Sequence, residues 1–374
     1  MDFENLFSFV PYAIYTKAFV FTIFAFCMFV GMDYFVSNNN RNLLKMHSQL
    51  PAFILAIVVM LYMGLRPDGY QFGDSFYYRH TYYNFDINSS FSIKTEWLFA
   101  WIQHTCRSFR LNHHMFFLVI EIGYIGFLYA ACRKLLWENT WMALLFCISA
   151  FSFFTYGTNG IRNGLALHLL LLAFSFLATE KRWIVPIVAC LCLAAFGIHR
   201  SSILPICGAL GAYFFVKDPK WAICIWVFCV FASLIAGGTF VSMLGTYLGS
   251  FDSRASGYSA VTNMSEFSRS GFRWDFILYS SVPILLTYYV SVKRQIKNRT
   301  FEVLANTYIL TNAVWVLVNS MAFSNRVAYL SWFLYPIVIA YALIRLHIWE
   351  DQDRKSAYFL IGHAIFTMIM SIRG

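Results

Sequence analysis

The sequence predicts an all-α, polytopic integral membrane protein with about 12 transmembrane helices, one interfacial amphipathic helix and two outward-facing loops. Three observations carry this prediction. Of 374 residues, 59% are hydrophobic and 20% aromatic, whereas 12% are charged; a soluble domain carries about 25% charged residues. Apolar runs recur at about the 20-residue length that a bilayer core demands. The basic residues fall singly or in small groups between those runs. Such a composition excludes a water-soluble enzyme, a disordered chain and a coiled coil. The formal charge of +10 forms no basic stripe, so nucleic acid is not an expected partner.

In chain order, the apolar windows centre on residues 13–36, 50–65, 113–132, 140–156, 160–179, 183–198, 200–216, 221–240, 274–292, 301–319, 326–345 and 356–371. Several are short. The pair meeting at Gly197-Ile198-His199-Arg200 has almost no loop, so a broken or re-entrant helix is expected there. The segment Glu96–Arg110 is different: Trp97, Leu98, Trp101, Ile102, Thr105, Cys106 and Phe109 share one helical stripe, opposite Gln103, Arg107 and Arg110. A helix of that pattern lies in the membrane interface and does not cross it. Residues 1–374 are read as one transmembrane domain, with outer loops at about 66–112 and 239–273.

Orientation follows from basic residues in short loops, which stay cytoplasmic. Alternate loops carry Arg41/Lys45, Arg133/Lys134, Lys181/Arg182, Lys217/Lys220, Lys293/Arg294/Lys297/Arg299 and Arg345/Arg354/Lys355. Of ten lysines, only Lys17 and Lys94 lie elsewhere. The outward set is Arg66, Arg79, Arg107, Arg110, Arg162, Arg200, Arg254, Arg269, Arg273 and Arg326. Arginine donates two parallel hydrogen bonds to phosphate and stays charged when partly buried. An outward set this rich in arginine predicts that an anion, most simply a phosphate or diphosphate, is handled on the outer side.

Nine cysteines form no CxxC pair, so neither a zinc site nor a disulfide framework is expected. The N-terminus Met1-Asp2-Phe3-Glu4-Asn5 lacks the basic start of a signal peptide. No GxxxxGK[ST], GxGxxG or HExxH motif occurs. Without a nucleotide engine, chemistry on the outer face draws its free energy from the substrate, as a lipid-linked diphosphate sugar would allow.

Four constellations stand out. The first outer loop places Asp68, Asp74, Asp86 and Glu96 among many aromatics, a mixture suited to carbohydrate. Tyr156–Ala166 is a Gly/Asn-rich turn opening an apolar helix, with Arg162 in its first turn. Positive charge there opposes the helix dipole, so Arg162 is expected to add to an anion site at that terminus. His199 and Arg200, followed by Ser201 and Ser202, separate two apolar runs; histidine could accept a proton near neutral pH. Arg273 and Arg326 begin two further spans. The acidic Glu350-Asp351-Gln352-Asp353 is read as a solvated cytoplasmic loop, not a metal motif.

Taken together, Gly73-Asp74-Ser75-Phe76-Tyr77-Tyr78, Glu96-Trp97-Leu98-Phe99, Ile161-Arg162-Asn163-Gly164-Leu165-Ala166, His199-Arg200-Ser201-Ser202 and Ser324-Asn325-Arg326-Val327-Ala328-Tyr329 resemble the EpsG-like family of Wzy-type exopolysaccharide and O-antigen polymerases. The resemblance covers about residues 66–335; Asn163 departs from a frequent Gln. It implies a glycosyltransferase of the bacterial cytoplasmic membrane. Such an enzyme transfers a growing glycan from undecaprenyl diphosphate to a lipid-linked repeat unit at the outer face. On this reading Arg162, Arg326, His199, Asp74 and Glu96 are catalytic candidates, and Arg200, Arg273, Arg66 and Tyr78 bind substrate. The scheme needs no metal or cofactor. Implied partners are the undecaprenyl-diphosphate-linked oligosaccharide, membrane lipid and a chain-length regulator. A lipid-linked oligosaccharide flippase and an O-antigen ligase-type enzyme are the competing expectations.

Overall fold

The computed structural model describes residues 6–7, 9–36, 49–86, 96–177, 184–251, 271–321 and 324–373. The described residues are predominantly helical, with no strand among them. Lys94, Arg41/Lys45, Lys181/Arg182, Arg254 and Arg269 lie outside them, as do parts of both expected outer loops.

Six helical stretches among the described residues are long and apolar enough to cross a membrane: Tyr12–Val36, His113–Leu135, Pro219–Met243, Trp274–Lys293, Asn325–Arg345 and Gln352–Ile372. Three apolar helices are shorter, Gln49–Gly64, Ile161–Leu177 and Val185–Ile198. The difference from the dozen apolar windows has a physical source, because several windows are broken. Residues 140–156 divide into two short helices, with a break at Ser149–Ser152. Thr367 donates its hydroxyl to the Ser149 carbonyl at 2.8 Å. In an apolar surrounding a broken helix is tolerated only when such freed backbone groups find partners.

The chain divides into two compact units, Met1–His199 with Leu343–Gly374, and Arg200–Ala342. In the first unit the helices are α1 (Tyr15–Val36), α2 (Gln49–Gly64), α3 (Ser75–Tyr83), α4 (Trp97–Ser108), α5 (His113–Leu135), α6 (Thr140–Ile148), α7 (Phe153–Thr158), α8 (Ile161–Leu177) and α9 (Val185–Ile198). α5 is central, packing on α2 and α8; α8 in turn packs on α9, and the C-terminal helix Gln352–Arg373 packs on α1. α5 starts where Asn112 accepts a hydrogen bond from the Met115 N–H at 2.9 Å, an N-cap that satisfies an orphan donor. Large apolar side chains on α1 and α2, including Phe21, Phe29, Phe53 and Val58, are exposed. In water such faces would be costly; against lipid they are not.

In the second unit, α10 (Ile203–Leu210), α11 (Pro219–Phe251), α12 (Trp274–Thr287), α13 (Arg299–Leu317), α14 (Asn325–Trp332) and α15 (Tyr335–Arg345) follow, with α13 packed on α10, α11, α12 and α14. Its interior holds a polar knot. Asn312 accepts from Trp226 Nε1 at 2.8 Å and donates to Ser331 Oγ at 2.9 Å, while Trp332 Nε1 donates to Ser280 Oγ at 2.8 Å. Buried polar groups are tolerated because they are mutually bonded.

The amphipathic helix exists over Trp97–Ser108, but the face it buries differs from the expected stripe. Phe99, Gln103 and Cys106 are buried, and Trp101 and Phe109 are exposed. The polar Gln103 turns into the protein with Cys106 of the apolar stripe, while Trp101 and Phe109 of that stripe stay exposed.

Candidate functional site

The loop after α2 is shaped by Arg66. Its side chain is 2% exposed and Glu121 on α5 is fully buried beneath it, with Nη1 and Oε1 3.6 Å apart. The guanidinium donates to the Met63 carbonyl at 2.8 Å, to Ser75 Oγ at 3.0 Å and to the Thr158 carbonyl at 3.3 Å, and lies 4.3 Å from the Phe117 ring centre. Burial pulls its pKa below the usual range, against the attraction of Glu121. Arg66 was expected to bind substrate; the structure instead turns both terminal nitrogens onto internal acceptors, because the loop folds over it. It is a brace that ties α2, α3, α5 and the 158–160 turn together.

A second tie fixes the start of α3. Gly73 adopts φ 58°, a left-handed conformation that L side chains resist. A Cβ there would also lie 2.5 Å from the Asn159 side chain. With that space open, Asn159 Oδ1 accepts the Asp74 N–H at 2.7 Å, and Ser75 Oγ donates to the Thr158 carbonyl at 2.5 Å. α3 is thereby anchored on the turn that precedes Arg162, and Tyr78 faces that arginine.

Arg162 occupies the first turn of α8. Its Nε donates to Tyr78 Oη at 3.1 Å, and its Nη1 donates to Glu96 Oε2. The guanidinium lies 5.4 Å from the Tyr78 ring centre and 5.9 Å from that of Phe99. Glu96, immediately before α4, bridges to a third residue: its Oε1 is 2.5 Å from His199 Nδ1. The anion held by Arg162 in this structure is thus a carboxylate of the protein itself. The three side chains are 27%, 18% and 14% exposed for Arg162, Glu96 and His199, so water is reduced but a ligand can reach them. Burial pushes the Tyr78 phenol up, opposed by Arg162 and reinforced by Asp74 and Glu96. Tyr78 therefore acts as a neutral hydroxyl, and Asp74 is close enough to be felt by it.

Why these distant residues meet is a matter of helix packing. α4 packs on α9, and a Cβ on Gly197 would stand 2.5 Å from the Trp97 ring. Glycine at 197 admits the indole, so Glu96, next to Trp97, reaches His199, two residues past Gly197. Neither Gly197 nor Asn159 was singled out as a site residue in the sequence. A glycine two positions before an isolated histidine was the available signal for the first.

Chemically, Glu96 fixes the imidazole by its Nδ1 edge and leaves Nε2 pointing away. This is the arrangement by which a carboxylate selects a histidine tautomer and supports the positive charge the ring gains as a base. Arg162 keeps an Nη2 group that can bind a second anion beside the first.

The remaining candidates belong to the second unit. Arg200 opens the single turn Arg200–Ser202. Arg273 binds Asp275 through Nε at 2.9 Å and Nη2 at 2.7 Å, with its guanidinium 3.8 Å from the Phe276 ring centre. Its fork is occupied by a carboxylate two residues on. Arg326 is half-buried in the first turn of α14. Metal-ligating side chains also gather at Asp68, His113 and His114, none of which belongs to the Glu96 cluster.

Comparison with known proteins gives one family match: the sequence model described as the EpsG family matches residues 49–373. Neither the curated proteins nor the solved structures yield a match.

Proposed function

The chain belongs to the EpsG family, whose membership points to a multi-pass membrane protein of polysaccharide-polymerase type, and from that premise we propose a specific activity. It joins oligosaccharide repeat units on undecaprenyl diphosphate at the outer face of the bacterial cytoplasmic membrane. The observation that carries the reading is the Glu96 carboxylate held between His199 and Arg162, beside Tyr78. About 12 crossings are part of the proposal, with the broken windows counted as crossings.

In the transfer, an acceptor hydroxyl attacks the anomeric carbon of the donor. The new C–O bond forms as the bond to the diphosphate oxygen breaks, and the leaving undecaprenyl diphosphate takes the electron pair. His199 receives the hydroxyl proton at Nε2, with Glu96 supporting the imidazolium. Arg162 stabilises charge growing on the departing diphosphate, as preorganised donors do best where water is scarce. We assign Tyr78 to orienting Arg162, and, in the second unit taken by itself, Arg200 and Arg326 to binding substrate phosphate; Arg273, whose fork holds Asp275, is given no such role. Asp74 stays in the proposal as an acceptor of sugar hydroxyls, and a chain-length regulator as a partner.

A flippase would place charges in mid-span. The clearest such charge, Glu121, is closed off against Arg66, which favours the polymerase. The test is the lipid-linked glycan profile of a deletion strain, followed by complementation with single substitutions at Arg162, His199 and Arg326. A polymerase defect leaves single repeat units outside the membrane. Units accumulating inside would indicate a flippase, and polymer stranded on its lipid carrier a ligase. If all three variants reach the membrane and make full-length polymer, the site assignment is wrong.

A further inference from the structure

A second cluster lies where the loop after α2 meets the start of α5. Asp68 projects from that loop, and its Oδ1 is 3.0 Å from His113 Nε2; Oδ2 is 3.2 Å from the same nitrogen. The other edge of the imidazole, Nδ1, is 2.8 Å from the Tyr83 hydroxyl at the end of α3. The His114 ring lies beside it, 4.0 Å between centroids. One donor atom from each of Asp68, His113 and His114 falls within 4.8 Å of the others. Arg79 also reaches the carboxylate, 2.7 Å from Oδ2.

We propose that Asp68, His113 and His114 form a site for a divalent transition metal of the Zn²⁺ class, with at least one coordination position open to water. Two imidazoles and one carboxylate suit such ions and not Mg²⁺ or Ca²⁺, which prefer all-oxygen sets. Bonds of about 2.0–2.2 Å in a tetrahedral site set donors roughly 3.4 Å apart; here Asp68 Oδ1 and His113 Nε2 are 3.0 Å apart and all three donors lie within 4.8 Å of one another. One of the two His113 tautomers fits a bound ion. When His113 donates Nδ1–H to Tyr83, the Nε2 lone pair faces two carboxylate oxygens, and a cation between them resolves that repulsion. This is also how metal-bound histidines are oriented, through the ring nitrogen away from the metal. The other tautomer, with Tyr83 donating to Nδ1 and Nε2–H bonded to Asp68, needs no ion, and a Co²⁺ titration separates the two.

Two features oppose a cation and make the proposal sharp. α5 presents its positive end here, and the Arg79 guanidinium competes for Asp68. Removing Arg79 should therefore strengthen metal binding, whereas in a plain hydrogen-bonded network it would only loosen the loop. A bound metal would clamp the loop after α2 onto α5, near the foundation of α3 and Tyr78.

The experiment uses the full chain in detergent, without a polyhistidine tag, stripped with a chelator and titrated with Co²⁺. The expected result is one Co²⁺ per chain with ligand-field absorption in the visible, displaced by Zn²⁺, and a raised unfolding temperature. Asp68→Asn and His114→Gln should each weaken binding by more than the about 10–100-fold expected for Tyr83→Phe, and Arg79→Gln should tighten it. Absence of stoichiometric Co²⁺, binding that survives both Asp68→Asn and His114→Gln, or weaker binding in Arg79→Gln each overturns the proposal. Because His114→Gln and Arg79→Gln leave the Asp68–His113 contact in place, misfolding cannot account for opposite changes in the two variants.

Discussion

Replacing Arg162 with lysine tests the proposed site most directly. A lysine there keeps a positive charge within reach of Glu96 but has no Nε, so the bond to the Tyr78 hydroxyl at 3.1 Å is lost, together with the guanidinium 5.9 Å from the Phe99 ring centre. A hydrogen bond involving a charged group contributes about 1.5–3 kcal/mol. With Arg162 27% exposed, solvent screening favours the lower part of that range, roughly 1.5–2 kcal/mol. At about 1.36 kcal/mol per tenfold in rate, Arg162→Lys should slow polymerisation about 10–30-fold. Arg162→Ala removes the charge as well and should cost about 10²–10³-fold. The assay is the rate of repeat-unit joining in membranes carrying each variant at matched abundance, read as the polymer ladder. Wild-type rate in Arg162→Lys, with the protein present, would refute the claim that both arms of the guanidinium are used. So would an alanine variant no worse than lysine.

Three further outcomes are expected. Glu96→Gln should lose activity about tenfold or more, since hydrogen bonds to charged groups contribute about 1.5–3 kcal/mol; combined with Arg162→Lys it should cost less than the product of the two losses, because they share one interaction. Gly197→Ala should destabilise by about 1–3 kcal/mol, typical of overpacking, since its Cβ would meet the Trp97 ring; thermal unfolding in detergent reads this, and Trp97→Leu in the same chain should relieve it. Arg66→Met strands Glu121 as a buried carboxylate and should cost about 3–5 kcal/mol, whereas Arg66→Met with Glu121→Met should recover most of the loss; equal instability in the double variant would show that the pair is not the brace described.

The sequence by itself determined the class of protein and much of its helix inventory. Apolar length and the placement of polar breaks are local properties, so every apolar window contains helix, and the ordered motifs identify the family. Even the amphipathic helix was legible as an element, although its buried side was not, because Gln103 turned inward against its polarity. What only the tertiary structure decided is which charges meet. Glu96 lies 66 residues from Arg162 and 103 from His199, and no periodicity links lone charges across such separations. Their meeting depends on whether α4 can approach α9, which Gly197 permits, and on how the 158–160 turn holds α3. The same ignorance of contacts made Arg66 resemble a surface ligand when it is a buried brace, and left His113 and His114 unremarked beside Asp68. Hydropathy reports where a segment resides; only packing brings one segment's charge to another's.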